Sequence, residues 1–343
     1  MTGTGIVVIG RNEGERLVRC LKSVIAQSGA VVYVDSGSTD GSVARASEMG
    51  TKVIELDRSI PFSASRARNA GFAALREMGA MDCVQFVDGD CEVLPGWIEA
   101  GSRFLQENQQ FAAVCGKLRE RDANASIYNG ICDVEWSSKA GEAEACGGIA
   151  MYRVHALEAV GGFDASVAAG EERELCGRLR GRGLKVMRLD VPMATHDAAM
   201  TKFSQWWKRE IRAGYGGLDV ATRFENGNGN FSWQIRSARI WGIGWPAAVL
   251  LIGIAAAAVG GKVIGIFATA LMLCVWPVQV IRIAVRTHRR GRRIGFSLAY
   301  GFFLMFGKWA QLVGQFRYMM DRRRGQQARL IEHKAPAMAG GGQ

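Results

Sequence analysis

The sequence predicts an α/β fold with a mostly parallel sheet, followed by a helical membrane region. In the first 90 residues, short apolar runs alternate with segments whose apolar residues recur at helical spacing, which is typical of βαβ units. Beyond residue 239, two runs of roughly 20 almost uncharged residues are each long enough to cross a hydrocarbon core as helices. We therefore expect a sheet flanked by helices in the first part of the chain and membrane helices in the second.

The individual elements of the first part follow from this alternation. Strands are predicted at 6–9, 31–34, 52–56 and 84–87, and helices at 11–25, 42–49 and 65–78. A further strand is predicted at 185–189. This is a nucleotide-binding architecture, but no G-x-G-x-x-G follows the first strand, so the motif of a dinucleotide fold is missing.

The net charge of +11 is confined to the C-terminal part of the chain. Residues 282–334 hold 13 of the 43 Lys and Arg but only 2 of the 32 Asp and Glu, which accounts for the whole excess. Because these cations are interspersed with apolar segments, they indicate a membrane surface rather than nucleic acid.

The two apolar runs, 240–260 and 263–281, predict a transmembrane hairpin linked by Gly260-Gly261-Lys262. Arginines flank the pair on both sides, so the positive-inside rule places both ends in the cytosol. Buried helices of a large soluble domain are the alternative. A third segment, 294–316, has an amphipathic second half and predicts either an in-plane interfacial helix or a third span.

These patterns divide the chain into three regions. Residues 1–235 form a cytosolic domain with halves 1–95 and 96–235, residues 236–320 form the membrane region, and 321–343 form a basic to flexible tail. The first residues have neither a basic n-region nor an apolar run long enough for a signal peptide. We expect a multi-pass protein of the inner (plasma) membrane whose first domain faces the cytosol.

Two carboxylates, Asp88 and Asp90, follow the fourth apolar run. Ligands gather at the carboxyl ends of strands in α/β sheets, and side chains at i and i+2 of a strand point the same way. Both aspartates are therefore candidates to face one hard divalent cation and the phosphates that it neutralises. Aspartates beside a glycine are also common in turns, and the pattern alone leaves that alternative open.

A loop dense in small residues and carboxylates, 35–42, follows the second strand. It is accompanied by Arg11-Asn12-Glu13 after the first strand, by the segment 66–71 on the third helix, and by Asp88-Gly89-Asp90. This ordered set of four motifs resembles the family 2 glycosyltransferases, which have a GT-A fold. Members transfer a sugar from a nucleotide-diphosphate donor with inversion, so the resemblance implies the same reaction here.

The resemblance also implies roles for individual residues. The nucleotide-sugar residues would be Glu13, Asp35, Arg68, Asp88 and Gly148, with Asp35 accepting a hydrogen bond from the base. The cation would be Mn²⁺ or Mg²⁺, with ligands Asp90, Asp88 and, as in some relatives, His196. Other roles remain open for three residues: Asp40 as a helix cap, Arg66 as a solvated side chain, and His196 as a core residue.

The segment Gly170 to Leu179 resembles the family pattern G-E-D-x-D-L-x-x-R-L, with glutamate at positions 172 and 174. An inverting transfer needs a base for the acceptor hydroxyl, and the resemblance makes Glu172 the candidate, with Glu171 as the alternative. Acidic residues also favour the first turn of a helix, which is the competing explanation. We expect Arg178, one turn after Glu174, to pair with a carboxylate of this group.

The segment after His196 lacks the Q-x-x-R-W signature of processive polysaccharide synthases, which favours a non-processive enzyme. A lipid-linked or glycan acceptor at the cytosolic membrane face fits the membrane region. Two alternatives stay open: a catalytically silent sugar-nucleotide-binding membrane scaffold, made conceivable by Ser36 and the Asp-to-Glu replacements, and phosphotransfer through an aspartyl phosphate at Asp88.

Overall fold

The computed structural model describes residues 3–224 and 232–325. Within them the chain divides into two compact units. The first holds 3–201 and 220–224, and the second holds 202–219 and 232–325.

The first unit is built on a nine-stranded sheet flanked by helices. Its first seven elements alternate as predicted: β1 (Thr4–Gly10), α1 (Glu15–Ile25), β2 (Val31–Asp35), α2 (Ser42–Glu48), β3 (Lys52–Glu55), α3 (Ala64–Met78) and β4 (Cys83–Asp88). Helix α1 begins four residues later than the apolar spacing predicts. The delay arises because Asn12 and Gly14 have φ values of 55° and 52°, which a right-handed helix does not allow.

The second half of this unit adds strands and helices of which the apolar pattern predicted only the last strand. They are β5 (Cys91–Val93), α4 (Trp97–Glu107), β6 (Phe111–Glu120), α5 (Ile127–Trp136), β7 (Gly141–Glu142), β8 (Ala150–Arg153), α6 (Val154–Ala159), α7 (Glu171–Gly181) and β9 (Lys185–His196). The strand predicted at 185–189 continues to His196, because its later residues pair with both β6 and β5.

The strand order is β3-β2-β1-β4-β8-β6-β9-β5, with β7 on β9. The first four strands in this order are all parallel, as predicted. Strand β8 runs antiparallel to both of its neighbours, whereas β6 and β9 are parallel to each other. The sheet is therefore parallel in its first half and mixed beyond β4.

Helix α3 lies close against the sheet at Gly71. A Cβ on this residue would be 2.3 Å from Cγ1 of Val7 and 2.9 Å from Cγ2 of Val34, so only glycine permits this approach. Most of the buried strand residues are apolar, as expected of strands covered on both faces, and Gln85 in β4 is a buried polar exception. This packing fixes α3, and with it Arg68 and Asn69, relative to strands β1 and β2.

The second unit is helical. It contains α8 (Phe203–Arg223) up to Asp219, α9 (Ser232–Arg239), a π-helical turn (Ile240–Gly244), α10 (Trp245–His288) and α11 (Ile294–Arg323). The segment 294–316, predicted as an interfacial helix or a third span, lies within the single helix α11.

Helix α10 folds back on itself at Gly261, whose φ and ψ of 83° and 170° are not helical. Across the fold, Nε1 of Trp245 donates a hydrogen bond to the carbonyl oxygen of Met272 at 3.2 Å. A Cβ on Gly265 would lie 2.5 Å from Cβ of Ala257, so the two arms are in close contact. This reversal of α10 at Gly261 lies within the link predicted at 260–262.

One helical stretch among the described residues, Trp233–His288, is long and apolar enough to cross a membrane. Its most apolar window has a mean hydropathy of 2.2 and is only 11% buried. Large side chains along it, such as Leu251 and Phe267, are exposed.

Candidate active site

The carboxyl ends of β1, β2 and β4 meet at one edge of the sheet. Gly10 at the end of β1 pairs with Asp35 of β2, and Ile9 pairs with Asp88 of β4. Strand pairing thus brings Asp35 and Asp88, far apart in sequence, to either side of Ile9 and Gly10. This is the edge at which α/β sheets bind ligands.

Asp35 is fully buried, and its carboxylate organises the loop that follows it. Oδ1 accepts a hydrogen bond from the Tyr33 hydroxyl at 2.8 Å, and Oδ2 accepts from the backbone N–H groups of Gly37 and Ser38 at 2.8 and 2.7 Å. Charge-assisted bonds of this kind are the strong ones, so the start of the loop is firmly held.

The loops after β1 and β2 are joined by side chains. The Asn12 N–H donates to Ser38 Oγ at 2.9 Å, and Asn12 Oδ1 accepts from the Thr39 N–H at 2.7 Å. Oδ2 of Asp40 accepts from the Gly14 N–H at 2.9 Å, while its Oδ1 accepts from the Ser42 N–H at the start of α2. The N-cap of α2 is Gly41, so Asp40 is not the capping residue itself; it binds the first N–H of the helix and links the two loops.

Glu13 lies buried beside this junction. Its Cγ would be 3.3 Å from a Cβ on Gly10 and 3.4 Å from one on Gly89, so it packs between the ends of β1 and β4. It forms an ion pair with Arg16 at 2.9 Å. Arg66 is partly exposed, and its guanidinium donates to the carbonyl oxygens of Ile60 and Asp57.

Arg68 on α3 joins the end of β4 to the start of α7. Its Nη2 donates to Asp88 Oδ1 at 2.9 Å and its Nη1 to Glu171 Oε1 at 2.6 Å. The guanidinium is buried and also lies over the Phe163 ring, 5.4 Å from its centroid. Burial lowers the pKa of Arg68, but the charges of Asp88, Glu171 and Glu172 more than offset this, so its pKa is raised.

Gly148 approaches this ion-pair cluster closely. Its carbonyl oxygen accepts from Arg68 Nη2 at 3.3 Å. A Cβ at position 148 would lie 2.7 Å from Asp88 Oδ2 and 3.0 Å from Arg68 Nη2, so a side chain would displace both groups. Glycine is thus required for the backbone to reach Asp88.

Three glutamates occupy the first turn of α7, and their surroundings differ. Glu171 is buried and bound to Arg68. Glu174 accepts two hydrogen bonds from Arg178, both at 2.7 Å, which confirms the predicted pairing. Burial and the neighbouring charge of Glu171 raise the pKa of Glu172 to about 7. Glu172 is therefore the carboxylate of this turn that can exchange a proton near neutral pH.

His196 and Asp90 come together through the pairing of β5 with β9, in which Cys91 lies opposite His196. His196 Nε2 is 3.4 Å from Asp90 Oδ2, and the Asp90 side chain is fully buried. One potential ligand atom each of Asp90, Cys91 and His196 lie within 4.8 Å of one another. Burial raises the pKa of the Cys91 thiol well above its usual range, so the thiol stays protonated.

A carboxylate and a neutral imidazole are a donor set that suits Mn²⁺, and Mg²⁺ accepts the carboxylate. The buried Nδ1 of His196 has no hydrogen-bond partner among the described residues, which is unusual for a histidine that merely packs in a core. Two protein ligands would leave positions for phosphate oxygens and water. These residues therefore fit a divalent cation.

Asp88 and Asp90 have different environments. Strand β4 ends at Asp88, and a turn at Gly89 and Asp90 follows, so the i and i+2 geometry of a strand does not apply to the pair. Asp88 is partly exposed and bound to Arg68, whereas Asp90 is buried beside His196.

Several residues near the site were given no role by the sequence. Asn69 clamps the backbone of Phe163, donating to its carbonyl oxygen at 2.7 Å and accepting from its N–H at 2.9 Å. Trp136 packs on His196 with ring centroids 4.4 Å apart, and Oε2 of Glu120 is 3.9 Å from Nδ1 of that histidine. Asn69 lies within the motif at 66–71. Glu120 and Trp136 belong to no motif, and only their tertiary contacts place them near the site.

Part of the chain is similar in sequence to known proteins. The sequence model described as glycosyl transferase family 2 matches residues 5–161. A TPR repeat-containing protein of Synechococcus elongatus is 36% identical over 107 residues, which are 31% of this chain and only 25% of that protein. The chain thus matches about a quarter of the length of this relative.

Two solved structures align with most of this chain. A mannosyltransferase from Pyrobaculum calidifontis, in complex with GDP-Man and Mn²⁺, superimposes with a TM-score of 0.62 at 16% identity, covering 94% of this chain and 88% of that one. An N-terminal fragment of S. aureus TarS, in complex with UDP-GlcNAc, gives 0.48 at 15% identity, covering 94% and 92%. The first likeness shows the fold alone, which is of the GT-A type.

Proposed function

Because residues 5–161 form a glycosyl transferase family 2 domain, we propose that this protein transfers a sugar from a nucleotide-diphosphate donor with inversion and the help of a divalent cation. The observation that carries the proposal is the Arg68 bridge. It connects Asp88, at the edge where a donor would bind, to Glu171 in the turn that holds the candidate base. Donor-side and acceptor-side residues thus belong to one charged cluster.

Glu172 is the general base in this proposal, in preference to Glu171. A base must be able to take a proton near the working pH, and its pKa of about 7 suits that task. Glu171 is engaged by the buried guanidinium of Arg68 and is therefore not free to accept the proton of an acceptor hydroxyl. Its part is to fix Arg68 and, by its charge, to raise the pKa of its neighbour.

The donor would lie along the carboxyl edge of β1, β2 and β4. The Asp35 carboxylate can accept about four hydrogen bonds, and Tyr33, Gly37 and Ser38 already donate three. The remaining position would accept an N–H of the nucleotide base. Asp88 and the backbone at Gly148 would face the ribose or diphosphate. Glu13, packed between Gly10 and Gly89, would border the base or ribose.

Asp90 and His196 would hold Mn²⁺ or Mg²⁺, with Asp88 as a further ligand or as the neighbour of the ribose. A cation bound there supplies positive charge that stabilises the departing nucleotide diphosphate. The chain's own contribution is to orient the two ligands through the pairing of β5 with β9. The similar mannosyltransferase structure contains Mn²⁺, which supports this choice of ion.

The acceptor would be a lipid-linked molecule or a glycan at the cytosolic face of the inner membrane, with residues 1–235 as the catalytic region. The exposed apolar surface of Trp233–His288 supports a membrane location. With the fold at Gly261, its two arms would form a hairpin that crosses the bilayer twice. The missing processive signature supports addition of one sugar, or few, per encounter.

Helix α11 would lie at the interface rather than span the bilayer. Within the second unit, Gln311 on α11 donates to Glu210 at 2.7 Å, and Arg239 donates to Gln315 at 3.0 Å. Buried polar groups of this kind are costly in hydrocarbon and ordinary near water.

A ligand screen tests the proposal. Purified protein in detergent is heated with nucleotide sugars in the presence of Mn²⁺ or of EDTA, because a donor that binds the native state raises its unfolding temperature. We expect stabilisation by one nucleotide family that depends on Mn²⁺, followed by transfer to a membrane lipid extract. Binding without any transfer would favour the silent scaffold, and trapping of phosphorylated Asp88 would favour the phosphotransfer alternative.

A further inference from the structure

His196 lies between two buried carboxylates. Its Nε2 is 3.4 Å from Asp90 Oδ2, and its Nδ1 is 3.9 Å from Glu120 Oε2. Trp136 covers the ring, and Nδ1 is buried without a hydrogen-bond partner among the described residues. An unsatisfied buried nitrogen is unfavourable, so the environment of this ring calls for a specific explanation.

Glu120 is held firmly in the position that faces Nδ1. The pairing of β6 with β9 sets Glu120 directly opposite His196. Its Oε1 accepts from Asn129 Nδ2 at 3.1 Å, and its Oε2 accepts from the Ala198 N–H at 3.2 Å. Asn129 is itself fixed, because its Oδ1 accepts from the Met200 N–H at 3.0 Å. The carboxylate therefore has a fixed orientation.

A neutral imidazole has one N–H donor and one acceptor nitrogen, so only one of its two tautomers leaves a lone pair on Nε2. A carboxylate attracts the N–H of the nitrogen that it faces, so Asp90 and Glu120 favour opposite tautomers of this ring. A cation held by Nε2 and Asp90 would need the lone pair on Nε2, and Glu120 is the carboxylate that favours the proton on Nδ1. In that tautomer the Nε2 lone pair points toward Asp90, where the proposed cation would bind.

We propose that Glu120 is the positioning residue for the cation ligand His196, setting its tautomer and ring orientation. Carboxylates that accept the second N–H of a metal-bound histidine commonly contribute to metal affinity in this way. The inference rests on the proposed cation at Asp90 and His196, and it adds Glu120, a residue without any sequence motif, to the machinery of the site.

The test is Mn²⁺ affinity, measured on the full chain in detergent by the EPR signal of free Mn²⁺. We expect Glu120→Ala to weaken binding by about 10- to 100-fold and Glu120→Gln to weaken it less, because the amide oxygen can still accept a hydrogen bond. Asp133→Asn is the matched control. Asp133 is a buried carboxylate of the same region, bound to Arg119 and to the Glu120 N–H, and we expect this variant to bind Mn²⁺ as the wild type does.

A double-mutant cycle separates positioning from direct ligation. If Glu120 acts through the histidine, Glu120→Ala should cause no further loss of Mn²⁺ affinity in a His196→Ala background. Independent losses that multiply would overturn the proposal, as would wild-type affinity in the Glu120→Ala single variant. Unfolding temperatures measured without Mn²⁺ show whether each variant folds. If Glu120→Ala does not fold, the Mn²⁺ affinity of Glu120→Gln is used in its place. If the wild type binds no Mn²⁺, the proposed cation itself fails; if it binds Mn²⁺ and Glu120→Ala matches it, only the positioning role fails.

Discussion

Replacing each of two adjacent glutamates by glutamine should affect stability in opposite ways. Glu172 has a pKa raised to about 7 by burial and by the charge of Glu171, so its charged form is disfavoured in the folded state. Glu171 forms a buried ion pair with the Arg68 guanidinium, and glutamine at this position would break that pair. We expect Glu172→Gln to stabilise the protein at high pH and Glu171→Gln to destabilise it.

The size of the Glu172 effect follows from the pKa values. Its contribution to stability is fully present below the unfolded value of 4.5 and is lost as the pH rises through about 7, because the folded state binds this proton more tightly. The difference corresponds to roughly 3 kcal/mol, and partial exposure of the side chain reduces it to ~1–3 kcal/mol. Glutamine carries no charge, so the variant avoids this cost above pH 8 and gains nothing near pH 4.5.

For Glu171→Gln we expect a loss of roughly 1–3 kcal/mol at neutral pH, because Arg68 keeps Asp88 but loses a charged partner. The variant should also lower the pKa of Glu172. If Glu172 is the base, the acidic limb of the pH dependence of transfer, expected near pH 7 in the wild type, should then move to lower pH.

The assay is thermal unfolding in detergent across pH 5 to 9, together with donor turnover over the same range where activity remains. The two variants serve as each other's control, because they make the same change one residue apart. Two results would refute the assignment of charges to this turn. One is a stabilisation by Glu172→Gln that is equal at pH 5 and pH 9, and the other is a Glu171→Gln variant as stable as the wild type.

Three further predictions concern other parts of the chain. Asp90→Asn should abolish the Mn²⁺-dependent part of donor binding measured by calorimetry; binding that still depends on Mn²⁺ would exclude Asp90 as a ligand. Gly148→Ala should weaken donor binding by about tenfold or more, because the added Cβ would lie 2.7 Å from Asp88 Oδ2, and unchanged donor KM would contradict the close approach. Gly265→Leu should separate the arms of α10 at Ala257 and lower the unfolding temperature in detergent, whereas an equally stable variant would argue against the hairpin contact.

Local patterns predicted the first half of the fold well. Strands β1 to β4 and helices α1 to α3 follow from apolar runs and helical spacing, because each element buries one face against its sequence neighbours. The antiparallel insertion of β8 between β4 and β6 has no such signal, since it depends on pairing between distant segments. That pairing produces the mixed half of the sheet.

The candidate site shows the same division. Motifs identified Arg68, Asp88 and the glutamates of α7, but not the bond by which Arg68 joins Asp88 to Glu171. The i and i+2 argument for Asp88 and Asp90 assumed a continuing strand, whereas β4 ends at Asp88. Glu120 could not be found from sequence, because only the register of β6 with β9 sets it opposite a histidine.

The most direct test of the account is transfer of labelled sugar from the stabilising nucleotide donor to a membrane lipid extract with Mn²⁺, measured for the wild type and Glu172→Gln in parallel with donor binding. We expect the wild type to form product with an inverted anomeric configuration. Glu172→Gln should bind the donor normally and transfer at least about 100-fold more slowly, because a general base contributes that much. Transfer by Glu172→Gln at the wild-type rate, or product with a retained configuration, would contradict the account.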